Sequence, residues 1–191
     1  MTALRFAPVT ARTWTDFEAL FETPGAPKYC WCMAWRHMPE RQSATNADRK
    51  RAMESLVRNG TPVGMLAYSE DEPVGWCSVA PRNSLRKLSP QQDEAEEGVW
   101  SIVCFFVRSA QRRKKIASAL LEAAVEHAFA SGATTVEAYP VDPGSPSYRF
   151  MGFRDMFAAR GFRETGMAGS RRHVMRLDRS AGATARSGSS A

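Results

Sequence analysis

The sequence has little of what disulfide-stabilised or membrane-spanning proteins need. Its 191 residues include only four cysteines, too few for the dense disulfide framework of a small secreted domain. No apolar run is long enough to cross a bilayer, and the opening Met-Thr-Ala-Leu-Arg-Phe lacks the apolar segment of a secretory signal. We therefore expect a cytoplasmic protein that does not bind membranes, with free thiols at Cys30, Cys32, Cys77 and Cys104.

Several site signatures are also absent. The sequence contains no P-loop, no Gly-rich dinucleotide-binding turn and no Ser-His-Asp order. Histidine occurs only three times, and Cys30, Cys32 and His37 fall short of a spaced set of four metal ligands. We therefore predict that the protein holds no metal.

The composition is that of one globular domain. A hydrophobic content of 43% in 191 residues allows a sizeable core, and we predict a single domain over residues 1–178. Residues 179–191 are rich in Ser, Gly and Ala, which favours a disordered low-complexity tail. The net charge of +6 favours anionic ligands but is too small to indicate nucleic acid.

The most informative stretch runs from Val99 to Phe129. It begins as an apolar strand, typical of the covered centre of a sheet, and ends as a helix with Ile116, Leu120 and Ala124 on one apolar stripe. Between the two lies a basic turn, where a helix start offers unpaired N–H groups to an anion such as phosphate. The cations of this turn are Arg108, Arg112, Arg113, Lys114 and Lys115.

The coarse order of predicted elements is β-α-α-β-β-β-α-β-α-β-β. A β-branched strand is predicted from Thr134 to Val141. Ser145 and Pro146 are typical of a helix start, so we predict a helix from Ser147 to about Arg160, ended by Gly161.

From Leu4 to Leu177 the chain resembles the GCN5-related N-acetyltransferases. The resemblance rests on the element order, on the strand ending Val-Cys-Phe-Phe-Val107 with its basic turn, and on Gly152-Phe-Arg-Asp-Met-Phe-Ala-Ala-Arg-Gly-Phe162. It implies a mixed α/β fold with a central, mostly antiparallel sheet flanked by helices. The turn of the family motif is matched by Arg112-Arg-Lys-Lys-Ile-Ala117, with Lys115 in place of the expected glycine. We expect Lys115 to adopt a negative φ and to contribute its charge.

The resemblance implies acetyl-coenzyme A as co-substrate. Its diphosphate is expected on the turn and its pantetheine arm along the end of the preceding strand, with a backbone N–H near Val107 polarising the acyl carbonyl. The alternative is a solvated basic helix start. The predicted cofactor-binding residues are Phe105, Phe106, Val107, Arg112, Arg113, Lys114, Lys115, Ile116 and Ala117.

Three residues are predicted to be catalytic. Glu137 and Tyr139 are two apart in a strand and therefore share a face, and Asp142 follows at the strand end. Glu137 or Asp142 would serve as base or as anchor for a cationic substrate, and Tyr139 as pocket wall or proton donor; each could equally be a hydrogen-bonded structural residue. The tyrosine that often acts as general acid in the family is replaced by Phe157.

An aromatic pocket is predicted for the acceptor. Its members are Tyr29, Trp31 and Trp35, which fall between the first two helices, where the family builds its acceptor pocket, with Trp76 a weaker candidate for the rim. The acidic run from Asp93 to Glu97 is another weaker candidate. A core cluster is the alternative interpretation of these rings.

The predicted function is direct transfer of an acetyl group to the primary amine of a small molecule. Three segments look like the branch that contains kasugamycin-type aminoglycoside 2′-N-acetyltransferases, which implies a role in antibiotic resistance. Two alternatives remain: a protein or peptide N-acetyltransferase, and a non-catalytic module that binds coenzyme A or nucleic acid. The three segments are Tyr-Cys-Trp-Cys-Met-Ala-Trp-Arg36, Glu-Ala-Tyr-Pro-Val-Asp142 and Ser-Tyr-Arg-Phe-Met-Gly152.

Overall fold

Strands and helices follow one another in the predicted order. The computed structural model describes residues 3–90, 92–93 and 95–180. Within these residues the strands are β1 (Leu4–Pro8), β2 (Met65–Ser69), β3 (Glu72–Pro81), β4 (Val99–Val107), β5 (Thr135–Ala138), β6 (Arg163–Ala168) and β7 (Arg172–Asp178). The helices are α1 (Trp14–Glu22), α2 (Asn46–Arg58), α3 (Ile116–Ala130) and α4 (Arg154–Ala158).

The strands form one sheet in the order β1-β2-β3-β4-β5-β7-β6. All neighbouring pairs are antiparallel except β4 and β5, which run parallel because α3 connects them. The predicted fold class, a mixed α/β protein with a mostly antiparallel sheet, is confirmed.

The sheet splits at its centre. The β4–β5 pairing ends at Ile102 and Ala138, whereas β4 runs on to Val107. The pairing with β3 passes from Ser78–Cys104 to Val79–Ile102, so Val103 is an extra residue that forms a bulge in β4. A bulge bends its strand. Beyond Ile102, β4 is no longer paired with the strand on its β5 side, and we call this interruption of the sheet the cleft.

Helix α3 covers one face of the sheet. Its apolar stripe, including Leu120 and Ala124, is fully buried against β3, β4 and β5. The helix crosses β3 at Gly75, where a Cβ would lie 3.0 Å from Leu120 Cδ1 and 3.1 Å from Ile116 Cγ2. The predicted helical stripe is therefore the main contact of this face.

Helices α1 and α2 cover the other face with an aromatic core. Phe21 stacks on Trp31 with ring centres 5.5 Å apart, and Phe17 meets Trp76 edge-on at 4.8 Å. Trp76 is 0% exposed, and its Nε1 donates to Cys32 Sγ over 3.3 Å. Both rings are buried in this core cluster, which favours the alternative interpretation of Trp31 and Trp76 as core residues; their place in an acceptor pocket stays a prediction.

The helix predicted from Ser147 to Arg160 is also wrong in extent. Only a 3-10 turn (Arg149–Met151) and the short α4 form there. Tyr148 at φ +59° and Gly152 at φ +89° lie in the left-handed region, which no continuous α-helix passes through. This irregular segment packs beside β4 and leaves Tyr148 at the surface.

The end of β7 and the character of the helices bear on the predicted domain boundary and on the expectation that the protein does not bind membranes. The predicted domain boundary coincides with the end of β7 at Asp178, and the predicted tail lies outside the described residues from 181 onward. Among the described helices, none has the length and apolar character needed to cross a membrane.

Candidate active site

The basic turn joins β4 to α3. A 3-10 turn (Ser109–Gln111) follows Arg108, and the chain then reverses through Arg113 at φ +65° and Lys115 at φ +58°. The negative φ expected for Lys115 is therefore wrong. The chain keeps the left-handed conformation suited to the motif glycine, although this costs a residue with a side chain about 1–2 kcal/mol.

The start of α3 is open to an anion. The first backbone N–H groups of a helix have no partner within the helix. Here Lys115 is the N-cap residue and its side chain does not cap them. Among the cations, Arg112 Nε lies 3.4 Å from Val107 O and Lys114 Nζ donates to Gln111 Oε1 over 2.9 Å. Backbone donors and exposed cations are thus combined as an anion site requires.

The end of β4 turns backbone donors into the cleft. The N–H of Arg108 donates to Val74 O over 3.0 Å, toward β3. Because donors alternate along a strand, the N–H groups of Phe105 and Val107 point to the opposite side, where pairing with β5 has ended. Phe106 does not share this position, since its N–H faces β3 and its ring is buried near Phe21.

A polar cavity of about 480 Å³ lies on the face opposite α3, beside the cleft. The connection between β3 and β4 forms one wall, and β5, β6 and β7 form the others. The lining residues are Arg82, Ser89, Gln92, Asp93, Glu96, Glu137, Tyr139, Thr165, Gly166, Met167, Val174 and Arg176. The predicted Glu137 and Tyr139 thus lie together, with part of the predicted acidic run opposite them.

Glu137 is the centre of a buried network under this cavity. Its carboxylate accepts the O–H of Tyr139 and lies 3.5 Å from both Arg82 Nη1 and Arg176 Nε. Arg82 and Arg176 also pair with Glu96. Glu137 is only 5% exposed and Arg82 only 4%, so these charges depend on one another.

The network decides the protonation of Tyr139. Burial, together with the charge of Glu137 beside it, raises the pKa of Tyr139 well above its ordinary value. The phenol therefore stays protonated at neutral pH. It can donate a hydrogen bond but does not serve as a base.

Asp142 lies on the other side of the sheet. Its Oδ2 is 3.2 Å from His173 Nε2, and its Oδ1 is 3.9 Å from Arg154 Nε. His173 alternates along β7 with Val174, which lines the cavity with Glu137. The structure therefore separates Asp142 from the other two predicted catalytic residues.

Of the predicted pocket aromatics, only Trp35 reaches the acceptor side in a defined contact. It is half-buried, and the guanidinium carbon of Arg172 lies 4.8 Å from its ring centre. Tyr29 is 69% exposed. Phe157, which replaces the family tyrosine, is buried against Phe105 and Phe162 and has no proton to give.

Three arginines of the acceptor side are not among the site residues predicted from the sequence. Arg82 follows a strand, and Arg172 and Arg176 occupy the same face of β7. Their partners are distant along the chain, so no local motif marks them. The one signal available in the sequence was the presence of charged residues on the side of β7 that turns toward Glu137.

No group of at least three His, Cys, Asp or Glu side chains is arranged to hold a metal within the described ranges. The ring of His37 instead lies 3.2 Å from Leu85 O.

Comparison with known proteins decides the family. The profile of the Acetyltransferase (GNAT) family matches residues 14–153. The chain belongs to the GNAT family of acetyltransferases. The predicted enzyme class, an N-acetyltransferase, and its predicted co-substrate, acetyl-coenzyme A, are thereby confirmed.

Solved structures share the fold at low sequence identity. The aminoglycoside acetyltransferase AAC(6′)-Ib, in complex with coenzyme A, matches with a TM-score of 0.59 and 17% identity, covering 93% of this chain and 95% of that one. The PaiA N-acetyltransferase from Thermoplasma acidophilum, also with coenzyme A, gives 0.55 and 11%, covering 93% and 99%. A ribosomal-protein-alanine N-acetyltransferase from Brucella melitensis gives 0.54 and 19%, covering 91% and 96%.

Two of these neighbours have different acceptors in their names, an aminoglycoside and a ribosomal-protein alanine, so the neighbours establish the fold of this GNAT protein and not its substrate. Curated proteins give no significant match to the sequence.

Proposed function

We propose that this GNAT protein transfers the acetyl group of acetyl-coenzyme A directly to a primary amine of a small molecule. The observation that carries the proposal is the central cleft with a different site on each side. On one side lies the uncapped, basic start of α3, and on the other the polar cavity of about 480 Å³.

The donor would be held from the α3 side. The backbone N–H groups from Arg113 to Ala117 would bind the diphosphate, supported by the cations of the turn. The unpaired N–H groups of Phe105 and Val107 support a pantetheine arm along the end of β4 and an oxyanion at the thioester carbonyl. Ile116 would contribute only its backbone, because its side chain is buried.

The acceptor would attack from the cavity side. A neutral amine forms the new C–N bond, the C–S bond breaks, and the thiolate of coenzyme A leaves and takes a proton from solvent or from a tyrosine. Glu137 and Asp142 are the candidate bases. Glu137 lies in the cavity but already accepts from Tyr139 and faces two guanidinium groups, whereas Asp142 is more exposed and lies on the opposite face.

An aminoglycoside of the kasugamycin type is the acceptor we propose to test first. A volume of about 480 Å³ lies within the usual range of small-molecule sites, roughly 300–1,000 Å³. Asp93, Glu96 and Glu137 place carboxylates around it, which would attract a sugar ammonium. A peptide amine or a non-catalytic role remains the alternative.

Thermal shift and thiol release test the proposal in sequence. We expect acetyl-coenzyme A to raise the Tm, and at least one amine among aminoglycosides, amino sugars and peptides to release coenzyme A thiol. Growth on kasugamycin with and without the expressed chain tests the resistance role. Stabilisation without thiol release from any amine would favour the binding module, and no stabilisation would remove the donor assignment.

The candidate bases are separated by their pH profiles. Glu137→Gln and Asp142→Asn should each be assayed against pH, with Tm measured alongside because Glu137 is part of a buried network. Loss of the acidic limb in one variant identifies the base. An unchanged profile in both folded variants would remove both residues from that role.

A further inference from the structure

Arg172 holds its guanidinium among three aromatic rings at the acceptor side of the cleft. The guanidinium carbon lies 4.8 Å from the ring centre of Trp35, 5.2 Å from that of Tyr148 and 5.9 Å from that of Tyr139. These rings belong to the connection between α1 and α2, the segment before α4 and the residue that follows β5. One side chain thus contacts all three segments.

Among the described residues, no acid neutralises this guanidinium. Across residues 3–90, 92–93 and 95–180, the guanidinium of Arg172 has ring contacts but no ion pair and no hydrogen bond. Two neighbours differ: Arg171 donates to Ser147 Oγ over 3.0 Å, and Arg176 pairs with Glu96 and Glu137. The guanidinium of Arg172 therefore lacks a polar partner among the described residues, whereas Arg171 and Arg176 each have one.

Each of the two side chains in the contact between Arg172 and Trp35 carries a buried donor without an acceptor. Nη1 of Arg172 and Nε1 of Trp35, on the ring that the guanidinium covers, are both buried and both lack a hydrogen-bond partner. Burial also lowers the pKa of Arg172, which reflects poor hydration of the charge. A carboxylate matches such a pair, since its oxygens accept from a guanidinium and from an indole N–H at once.

We propose that Arg172, with the indole N–H of Trp35, binds a carboxylate carried by the acceptor, so that the enzyme prefers amines that also bear an acidic group. The inference rests on the proposed function and narrows its substrate class.

The position of Arg172 in β7 indicates where this carboxylate would bind. Arg172 and Val174 share one face of β7 about 7 Å apart along the strand, and Val174 lines the cavity. A β-bridge joins the backbone of Arg172 to that of Val141, three residues after the last β5 residue that pairs with β4. A carboxylate bound there lies close to the reacting amine, while the remainder of the acceptor extends toward Glu96 and Glu137.

Paired acceptors test this preference. Glycine, β-alanine, 4-aminobutyrate and phenylalanine are compared with their amides, which lack only the negative charge. We expect a higher kcat/KM for the acid in at least one pair. Arg172→Gln should reduce that acid-to-amide ratio by about 10- to 100-fold, mainly through KM, because a charge-assisted hydrogen bond is lost.

Three variants sharpen the test. Arg172→Lys keeps the charge and should retain part of the preference. Trp35→Phe keeps a ring without its N–H and should reduce the ratio by roughly 3- to 10-fold. Arg171→Gln, one residue away, is the matched control and should leave the ratio unchanged.

A binding assay keeps this proposal separate from the proposed function. In the presence of coenzyme A, N-acetylglycine should raise the Tm of the wild type more than N-acetylglycinamide does, and Arg172→Gln should abolish the difference. If no amine releases thiol although acetyl-coenzyme A stabilises the protein, the proposed function fails and this assay alone judges Arg172. Equal shifts, or equal acid-to-amide ratios, in wild type and Arg172→Gln would overturn the proposal.

Discussion

The two sides of the central cleft hold their charges in opposite ways. On the α3 side, Arg113 and Lys115 are exposed on a turn whose backbone supplies the N–H groups. On the cavity side, Arg82 and Glu137 are buried and depend on each other. The exposed charges of the first side are free to bind an anion, whereas those of the second contribute to stability as well.

This difference predicts whether a substitution on each side should weaken ligand affinity or stability. Exposed charges on a turn are screened by salt and affect mainly ligand affinity. A buried, paired charge leaves an uncompensated partner when it is removed, so stability is lost first. Four variants, in descending order of expected effect, test this contrast.

Glu137→Gln should have the largest effect on stability. It removes the carboxylate between two guanidinium groups and leaves buried Arg82 with the partly exposed Glu96 as its one remaining carboxylate partner among the described residues, so we expect a loss of about 3 kcal/mol in the free energy of unfolding. Urea denaturation measures it. Glu54→Gln, which breaks an exposed helix pair with Arg58, is the control and should cost about 0.4 kcal/mol. Equal losses would mean that the network contributes no more than a surface pair.

Neutralising the turn should affect affinity and spare stability. The triple change Arg112→Gln, Arg113→Gln and Lys114→Gln removes three exposed cations, and we expect the Kd for acetyl-coenzyme A to rise roughly 30-fold, about 2 kcal/mol in total. Calorimetric titration at low and high salt measures it. Because screening weakens exposed charges, the defect should shrink at high salt. A salt-independent defect would contradict an electrostatic role.

Tyr139→Phe should have a smaller effect with a characteristic pH dependence. Losing the O–H that Glu137 accepts should cost about 1 kcal/mol at neutral pH. The folded protein holds the pKa of Tyr139 above the ordinary 10.0. The contribution of Tyr139 to the free energy of unfolding is therefore fully present below pH 10 and is lost as the pH rises beyond it, where only the unfolded phenol ionises.

Unfolding measured from neutral to alkaline pH checks this sign. The alkaline slope should be shallower in Tyr139→Phe than in the wild type. A residual slope is expected from Tyr68, whose pKa is also raised by burial and by Asp16. Identical slopes in both proteins would show that Tyr139 ionises normally in the folded state.

Lys115→Gly should have the smallest effect. Glycine adopts φ +58° without the cost of a Cβ but loses more backbone entropy on folding, so we expect a net gain of about 0.5 kcal/mol. Affinity for acetyl-coenzyme A should change less than about threefold, because the backbone donors stay in place. Lys114→Gly is the matched control, since Lys114 has no positive φ and should only be destabilised. A large loss of affinity in Lys115→Gly alone would assign the binding to its side chain.

The cleft's α3 side was largely readable from the sequence because its parts are consecutive. The strand ending at Val107, the basic turn and the apolar stripe of α3 follow one another within a short segment, and each has a local pattern. The conformation of Lys115 was not readable. Whether a turn residue has positive φ depends on how the strand and helix on either side are packed.

The cavity side was readable only in part. Alternation in β5 correctly put Glu137 and Tyr139 on one face. The same reasoning grouped Asp142 with them, although the chain turns after β5 and Asp142 meets His173 on the opposite side. Aromatic residues gave no distinction between core and pocket, because Trp76 and Trp35 have the same chemistry and differ only in what packs around them.

The sequence alone determined the order of the elements, the covered central strand and the joining of that strand to α3 by a basic turn, because these depend on periodicity and on neighbours in the chain. Only the tertiary structure decided that Arg82, Glu137 and Arg176 form one network and that Arg172 meets Trp35 and Tyr148. These contacts join segments far apart in the chain, and the sheet order that brings them together is a property of the whole fold.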